Sequence, residues 1–322
     1  MTMNFLGVDT GATTTRALLI SDTGAHLGTG RAEGGNPNAH PPGVAAARIA
    51  QAVGQALGGG DPAGVGGLVV GLAGVAKMAD PSVRALFDAA LRATGLTCEI
   101  RVVADCEAAF ATAAATGEGT VLVAGTGSIA ARISGHRMVA TAGGFGWLLG
   151  DEGSAYWLGR EAVRATLRRV EAHEDLGPLG EAVFAHAGLT PDPDQVRARR
   201  ALITAVNAES PIRLAGFAPL VTSTARADQS AADIVERGAQ HLTGIALATR
   251  TAEDTSPVVL TGSLVTADTP VGDRVRAELT RRTGGPVRVA ADGTIGAAWL
   301  AALAVITDPA AAQALHAKLS QA

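Results

Sequence analysis

The sequence predicts an α/β protein made of mixed β-sheets covered by helices. Three observations carry this reading. Strand-like apolar runs alternate with helical patterns along the chain. Two stretches, one near the start and one near residue 120, each open on three strands joined by tight turns before helices follow. Glycine is abundant, 41 of 322 residues, yet scattered between apolar runs rather than gathered in a low-complexity tract.

In order along the chain, Asn4–Asp9 is an apolar strand leading into the small, hydroxyl-rich turn Thr10-Gly11-Ala12-Thr13-Thr14. Thr15–Ile20 returns, Asp22-Thr23-Gly24 has turn chemistry, and Ala25–Ala32 completes a three-stranded opening. The loop Gly34–Gly43 precedes a helix over Val44–Leu57. Val65–Leu72 is a buried strand, and Pro81 opens a helix with Asp80 as its cap. Glu99–Ala104 is a strand, and Asp105 begins a helix to about Ala115. The pattern then restarts: strand Thr120–Ala124, tight loop Gly125-Thr126-Gly127-Ser128, strand Ile129–Ile133, turn Ser134-Gly135, strand Arg137–Thr141. GVDTGATTTRALLI and LVAGTGSIAARIS thus share an order of elements, as an internal repeat or as two ordinary hairpins with similar turns. Ser154 caps the next helix, and Arg197–Asn207 and Asp233–Thr251 are further helices. Val258–Leu260 is a strand ending at Gly262-Ser263, Val287–Ala290 the last strand, and Thr294–Val305 a helix.

Composition narrows the function classes. A hydrophobic fraction of 47% excludes a disordered chain. The net charge is −4 and no basic stretch is long and laced with aromatics, so no nucleic-acid partner is expected. The longest apolar segment, Ala297–Ile306, is about half a membrane span. The N-terminus lacks a basic region and reaches Asp9 at once, so neither a membrane span nor a signal peptide is expected. Cys98 and Cys106 are too few for a disulfide framework or a four-cysteine metal site. The length suits two domains, and these bounds suit a cytoplasmic enzyme as well as many binding proteins.

No GxxxxGK[ST] or helix-opening GxGxxG is present. The two strand–turn–strand loops, Asp9–Thr14 and Gly125–Ser128, offer backbone N–H groups and hydroxyls to an anion. Either loop alone also reads as a plain hairpin turn; two facing loops would clamp a polyphosphate. Asp9, at a strand end, could hold Mg²⁺ through water. Asp105, at the carboxyl end of a strand, reads as a proton acceptor or as a helix cap, and the cap is the commoner reading. Gly143–Ser154 combines five glycines, Phe145, Trp147 and the Asp151-Glu152 pair ahead of a helix. Asp151 there could bind sugar hydroxyls or simply favour the helix N-terminus. Asn36-Pro37-Asn38 offers amide groups or turn chemistry. The seven histidines show no ligand spacing, and Cys106 reads as a small buried residue.

At these motifs the chain resembles the N-acetylglucosamine kinases of the BadF/BadG/BcrA/BcrD ATPase family, in the actin–hexokinase–Hsp70 superfamily. The likeness is most specific at GGFGWLLGDEGSAYWLG, Gly143–Gly159. It implies a two-lobed ribonuclease-H-like fold: residues 1–115 as one lobe, 116–307 as the other, and about 308–322 returning to the first. ATP and an amino sugar would bind in the cleft between, in a cytoplasmic homodimer. Position by position, the resemblance puts Gly11, Thr13 and Thr14 in the first phosphate loop, with Asp9 near Mg²⁺. It puts Thr126, Gly127 and Ser128 in the second phosphate loop, and Gly262 and Ser263 at the adenosine. Asp105 is the implied catalytic base. Asn38, with Asn36 as fallback, and Gly144, Phe145, Gly146 and Asp151 are the implied sugar contacts. Phe145 stands where a Trp is often found, no Lys or Arg follows the first loop threonine directly, and Gly71–Gly74 lacks a hydroxyl. N-acetylglucosamine, glucosamine and N-acetylmuramic acid are therefore all open as substrates, with phosphorylation expected at the 6-hydroxyl. Two rivals stand beside this reading. One is the ATPase activator of a radical dehydratase, whose cluster-binding cysteines Cys98 and Cys106 do not suit. The other is a non-catalytic sugar sensor, for whose DNA-binding segment a first strand at residue 4 leaves no room.

Overall fold

The computed structural model describes residues 3–321. Residue contacts divide the chain into two units. The first holds the chain up to Val121, Ile133–Val139 and everything from Arg288 on; the second holds Leu122–Arg132 and Ala140–Val287.

The first unit is built on a five-stranded sheet in the order β3-β2-β1-β4-β5. Its strands are β1 (Asn4–Thr10), β2 (Thr14–Ser21), β3 (His26–Glu33), β4 (Val65–Leu72) and β5 (Glu99–Ala104). β1 runs antiparallel to β2 and parallel to β4, so the sheet is mixed. The period-two pattern of β1 explains its two faces. Leu6 and Val8 join a core with α1 (Pro42–Leu57) and α2 (Pro81–Arg92). Phe5 joins a core with α3 (Asp105–Ala113), α11 (Gly293–Leu303) and α12 (Pro309–Leu319) on the opposite face. Gly7 faces α11, where a Cβ would lie 2.2 Å from the Ala298 nitrogen, so only glycine lets this helix lie on the sheet. That packing explains why the chain rejoins the first unit at Arg288, before the expected 308.

The second sheet has the order β10-β9-β6-β7-β8. It comprises β6 (Gly119–Ala124), β7 (Ser128–Ser134), β8 (Arg137–Gly143), β9 (Val258–Thr261) and β10 (Val287–Val289). Taken from its β8 edge, this is the order of the first sheet with every strand number raised by five. The resemblance between the two three-stranded openings is therefore a repeat of topology. The second unit's core joins Leu122, Ala124, Leu260 and Val258 to residues of its helices. These are α4 (Ala155–Ala172), α5 (Gly177–His186), α6 (Gln195–Asn207), α7 (Ala218–Thr224), α8 (Gln229–Ala248), the short α9 (Ser263–Thr266) and α10 (Pro270–Thr283). α8 starts four residues before the expected Asp233 because the buried Asp228 caps it, accepting from Ser230 N at 2.9 Å. Four helices, α5, α7, α9 and α10, were not anticipated; the first three, at ten, seven and four residues, give little periodicity to detect, whereas α10 carries a stripe of Val271, Val275 and Leu279 that the sequence did offer.

Candidate active site

In the first unit, Asp9, Thr10, Gly11, Thr14, Arg16, Arg31 and Asp105 line one cavity of about 410 Å³. The β1–β2 hairpin builds most of it. Gly11 N donates to Thr14 O at 3.0 Å and closes the turn, leaving Ala12 and Thr13 exposed at its tip. Thr10 and Thr15 share a buried hydroxyl–hydroxyl bond of 2.7 Å, and Gly35 N donates to Thr10 Oγ1 at 3.1 Å. The loop after β3 is tied to the same turn: Asn36 N donates to Gly11 O at 3.2 Å, and the His40 ring Nε2–H donates to Ala12 O at 2.7 Å.

Asp9 stands opposite Arg16 in the hairpin register and accepts from its guanidinium at 2.6 Å. Arg16 also reaches Asp292 at 3.5 Å. Asp9 further abuts the first residue of α11: a Cβ on Gly293 would fall 2.8 Å from the Asp9 carboxyl carbon. Burial pushes the Asp9 carboxyl above the usual carboxylate range in spite of its hydrogen bond and charge contact with Arg16.

Asp105 is the first residue of α3 and not its cap; that position belongs to Ala104. The chain leaves β5 directly into the helix, and the Asp105 carboxyl folds back to accept from Cys106 N at 2.9 Å. The capping reading is thereby corrected. Burial first, and the Asp9 charge beside it, raise the Asp105 pKa. A carboxylate held by one amide, with a raised proton affinity, at the carboxyl end of a strand, is suited to accept a proton.

The second unit carries the other loop. Gly125-Thr126-Gly127-Ser128 joins β6 to β7, and Gly125 N donates to Gly127 O at 3.0 Å. The start of α4 is stitched to it: Ala155 N donates to Gly125 O at 2.9 Å and Tyr156 N to Thr126 O at 3.1 Å. Asp151, expected among sugar contacts, is bound to this loop, where its Oδ1 accepts from Ser128 N at 3.2 Å. It is buried, sits at a φ of 59°, and would lie 2.8 Å from a Cβ on Gly127. Gly127 is thus required by close approach to Asp151. Gly144 N donates to Ser128 O at 2.9 Å, so the glycine-rich segment also meets the loop. Phe145, Leu148 and Leu149 are exposed, and Gly146 faces open space. Gly262 lies against the Ala124 carbonyl, just ahead of the loop, and Ser263 beside it is exposed.

Of the expected residues, Asp9, Gly11, Thr14 and Asp105 share the first unit's cavity, whereas Thr13, Asn36 and Asn38 do not line it. The Asn36 side chain is turned inward, accepting from Asn38 N at 2.8 Å; Asn38 is exposed. Arg16, Arg31 and Asp292 were missed. For the two arginines the signal was the hairpin register, which sets Asp9 opposite Arg16 and Arg16 opposite Arg31. The described residues contain no cluster of three or more His, Cys, Asp or Glu able to hold a metal. One carboxylate with phosphate oxygens and water is a usual Mg²⁺ environment; Asp9 lines the cavity, with one carboxyl oxygen already paired to Arg16.

The model of the BadF/BadG/BcrA/BcrD ATPase family matches residues 6–301. An N-acetylmuramic acid/N-acetylglucosamine kinase from Clostridium acetobutylicum is 35% identical over 101 residues. That alignment covers 31% of this chain and 32% of the relative, so it spans about a third of the relative's length. A solved structure from Chromobacterium violaceum, assigned as an N-acetylglucosamine kinase, superposes with a TM-score of 0.72 at 23% identity, covering 92% of this chain and 98% of the other. One from Porphyromonas gingivalis with the same assignment gives 0.68 at 20% identity, covering 99% and 100%. At these identities the two structures support the fold.

Proposed function

Because the chain belongs to the BadF/BadG/BcrA/BcrD ATPase family, we propose that it is an ATP-dependent amino-sugar kinase acting on the 6-hydroxyl of N-acetylglucosamine or a close relative. One observation carries the reading: the hydroxyl-rich turn, Arg16 and the two carboxylates Asp9 and Asp105 line a single cavity.

Asp105 accepts the proton of the sugar hydroxyl as that oxygen attacks the terminal phosphorus of ATP. The Gly11 turn and the Thr14 hydroxyl in one unit, and the Thr126–Ser128 loop in the other, hold phosphates. Gly262 and Ser263 take the adenosine side. Asn38, whose side chain is exposed, takes the sugar in preference to Asn36, and Gly144, Phe145 and Gly146 complete that side. Mg²⁺, held by Asp9 and the nucleotide, would neutralise phosphate charge. Catalysis is then mostly positioning and charge stabilisation. A cytoplasmic homodimer is the form we expect; among the described residues no helix is long and apolar enough to cross a membrane. The activator reading gains nothing from the cysteines, since Cys106 is buried and Cys98 half-buried.

A coupled assay of ATP consumption across amino sugars tests the proposal. Turnover is expected with N-acetylglucosamine first, and with glucosamine or N-acetylmuramic acid after it. Equal ATP consumption with and without every sugar would overturn the kinase reading.

A further inference from the structure

The first sheet aligns three charged residues in one row across its strands. Asp9 of β1 is opposite Arg16 of β2, and Arg16 is opposite Arg31 of β3. Directly opposed residues have Cβ atoms about 5 Å apart, and like charges so placed are destabilising. Arg16 is neutralised by Asp9 at 2.6 Å and Asp292 at 3.5 Å. Arg31 forms no ion pair among the described residues. The carboxylate two residues further along its strand, Glu33, is taken by Arg48. Only the Arg31 backbone is engaged, its N–H donating to Gln55 Oε1 at 2.8 Å and fixing β3 to α1.

An exposed arginine without a counter-charge is ordinary on a protein surface. Arg31 differs in where it stands, for it lines the cavity with Gly11, Thr14 and Asp105. The cavity's other arginine is already committed to carboxylates, so Arg31 is the cation left to meet a phosphate there. A guanidinium also offers a planar fork that matches two phosphate oxygens.

We propose that Arg31 binds the terminal phosphate of the nucleotide, the group under transfer. This rests on the kinase reading. Arg31 shares its cavity with Asp105, so it belongs beside the phosphoryl group that the deprotonated hydroxyl attacks. Its contact is made with ATP and in the transition state, and is lost with ADP. Its repulsion from Arg16, tempered by the carboxylates of Asp9 and Asp292, is relieved further when that anion is present.

Calorimetric binding of a non-hydrolysable ATP analogue and of ADP to wild type and to Arg31→Gln, with melting temperatures, tests this. Binding of both nucleotides to wild type is the check on the kinase reading itself; its failure would sink that reading before Arg31 is tested. Arg31→Gln is expected to weaken the analogue at least about tenfold, as loss of a charged hydrogen bond does, while ADP affinity stays within about twofold. The melting temperature should hold or rise, because a like charge opposite Arg16 is removed. Arg31→Lys should recover part of the affinity. Unchanged analogue binding overturns the proposal, as does equal weakening of both nucleotides. So does a selective loss of carboxylate-bearing N-acetylmuramic acid, which would make Arg31 a sugar-side residue.

Discussion

At the scale of single residues, Asp105 is where structure and chemistry can be separated most cleanly. It is not the cap of α3, and its one hydrogen bond to the helix, from Cys106 N, can be accepted equally by an asparagine side chain. Its buried carboxyl is held above its ordinary pKa, which makes the folded protein bind that proton more tightly than the unfolded chain does. Stability from this group is therefore greatest at low pH and declines as pH rises from the unfolded value of about 3.9 through the raised folded value. Asp105→Asn removes that penalty. Its melting temperature should match wild type at acid pH and equal or exceed it at neutral pH. The kcat should fall at least roughly a hundredfold, as for a lost general base. Wild-type kcat should fall on the acid side with an apparent pKa above that of an exposed aspartate. A variant that melts early yet turns over normally would remove Asp105 from the chemistry. The sequence carried Asp105, Asp9, Gly11 and Thr14 to the cavity through motif and position alone. Arg16 and Arg31 escaped because they are neighbours across strands and not along the chain. Asp151 also binds the Ser128 N–H, a contact that sequence order does not reveal.

At the scale of elements, the β1–β2 turn is held from behind by the loop after β3. Asn36 N and the His40 ring both donate to its carbonyls, so the loop expected to meet the sugar also shapes the loop expected to meet phosphate. His40→Ala should raise KM for ATP about fivefold, the worth of one neutral hydrogen bond, with little change in melting temperature. An effect on the sugar KM alone would show the two loops to be independent. Helix α12 makes a different prediction. His316 is buried beside Trp299, its Nε2–H donates to Ala111 O at 2.8 Å, and burial lowers its pKa. The unfolded chain then takes up a proton that the folded one refuses, so stability is present above about pH 6.5 and lost as pH falls towards the lowered folded value. His316→Gln should flatten the fall in urea-unfolding free energy between pH 7.5 and 5. The alternation of strands and helices was legible because β1 and β4 are short apolar runs bounded by turn residues and α1 carries a helical stripe of buried residues. Helices α5, α7 and α9 were not, being too short to show a face, and α10 was passed over although Val271, Val275 and Leu279 mark one.

At the scale of the whole molecule, the duplicated strand order gives each unit one hairpin loop of its own. The first unit is also discontinuous, since Gly293 lies against Asp9 and α11 covers β1 although roughly 280 residues separate them. A ribosome adding about 5–20 residues per second therefore takes tens of seconds, or most of a minute, between making β1 and releasing the helix that covers it. During that interval the apolar side of the first sheet, with Phe5, Leu18 and Val69, has no partner from the C-terminal segment. Ribosome-bound chains stopped before Arg288 should expose this surface to chaperones and fail to bind nucleotide, whereas chains extended past Leu319 should do neither. Because Asp292 meets Arg16 and Gly293 lies against Asp9, a translation product cut short before them has no finished cavity in which to bind nucleotide.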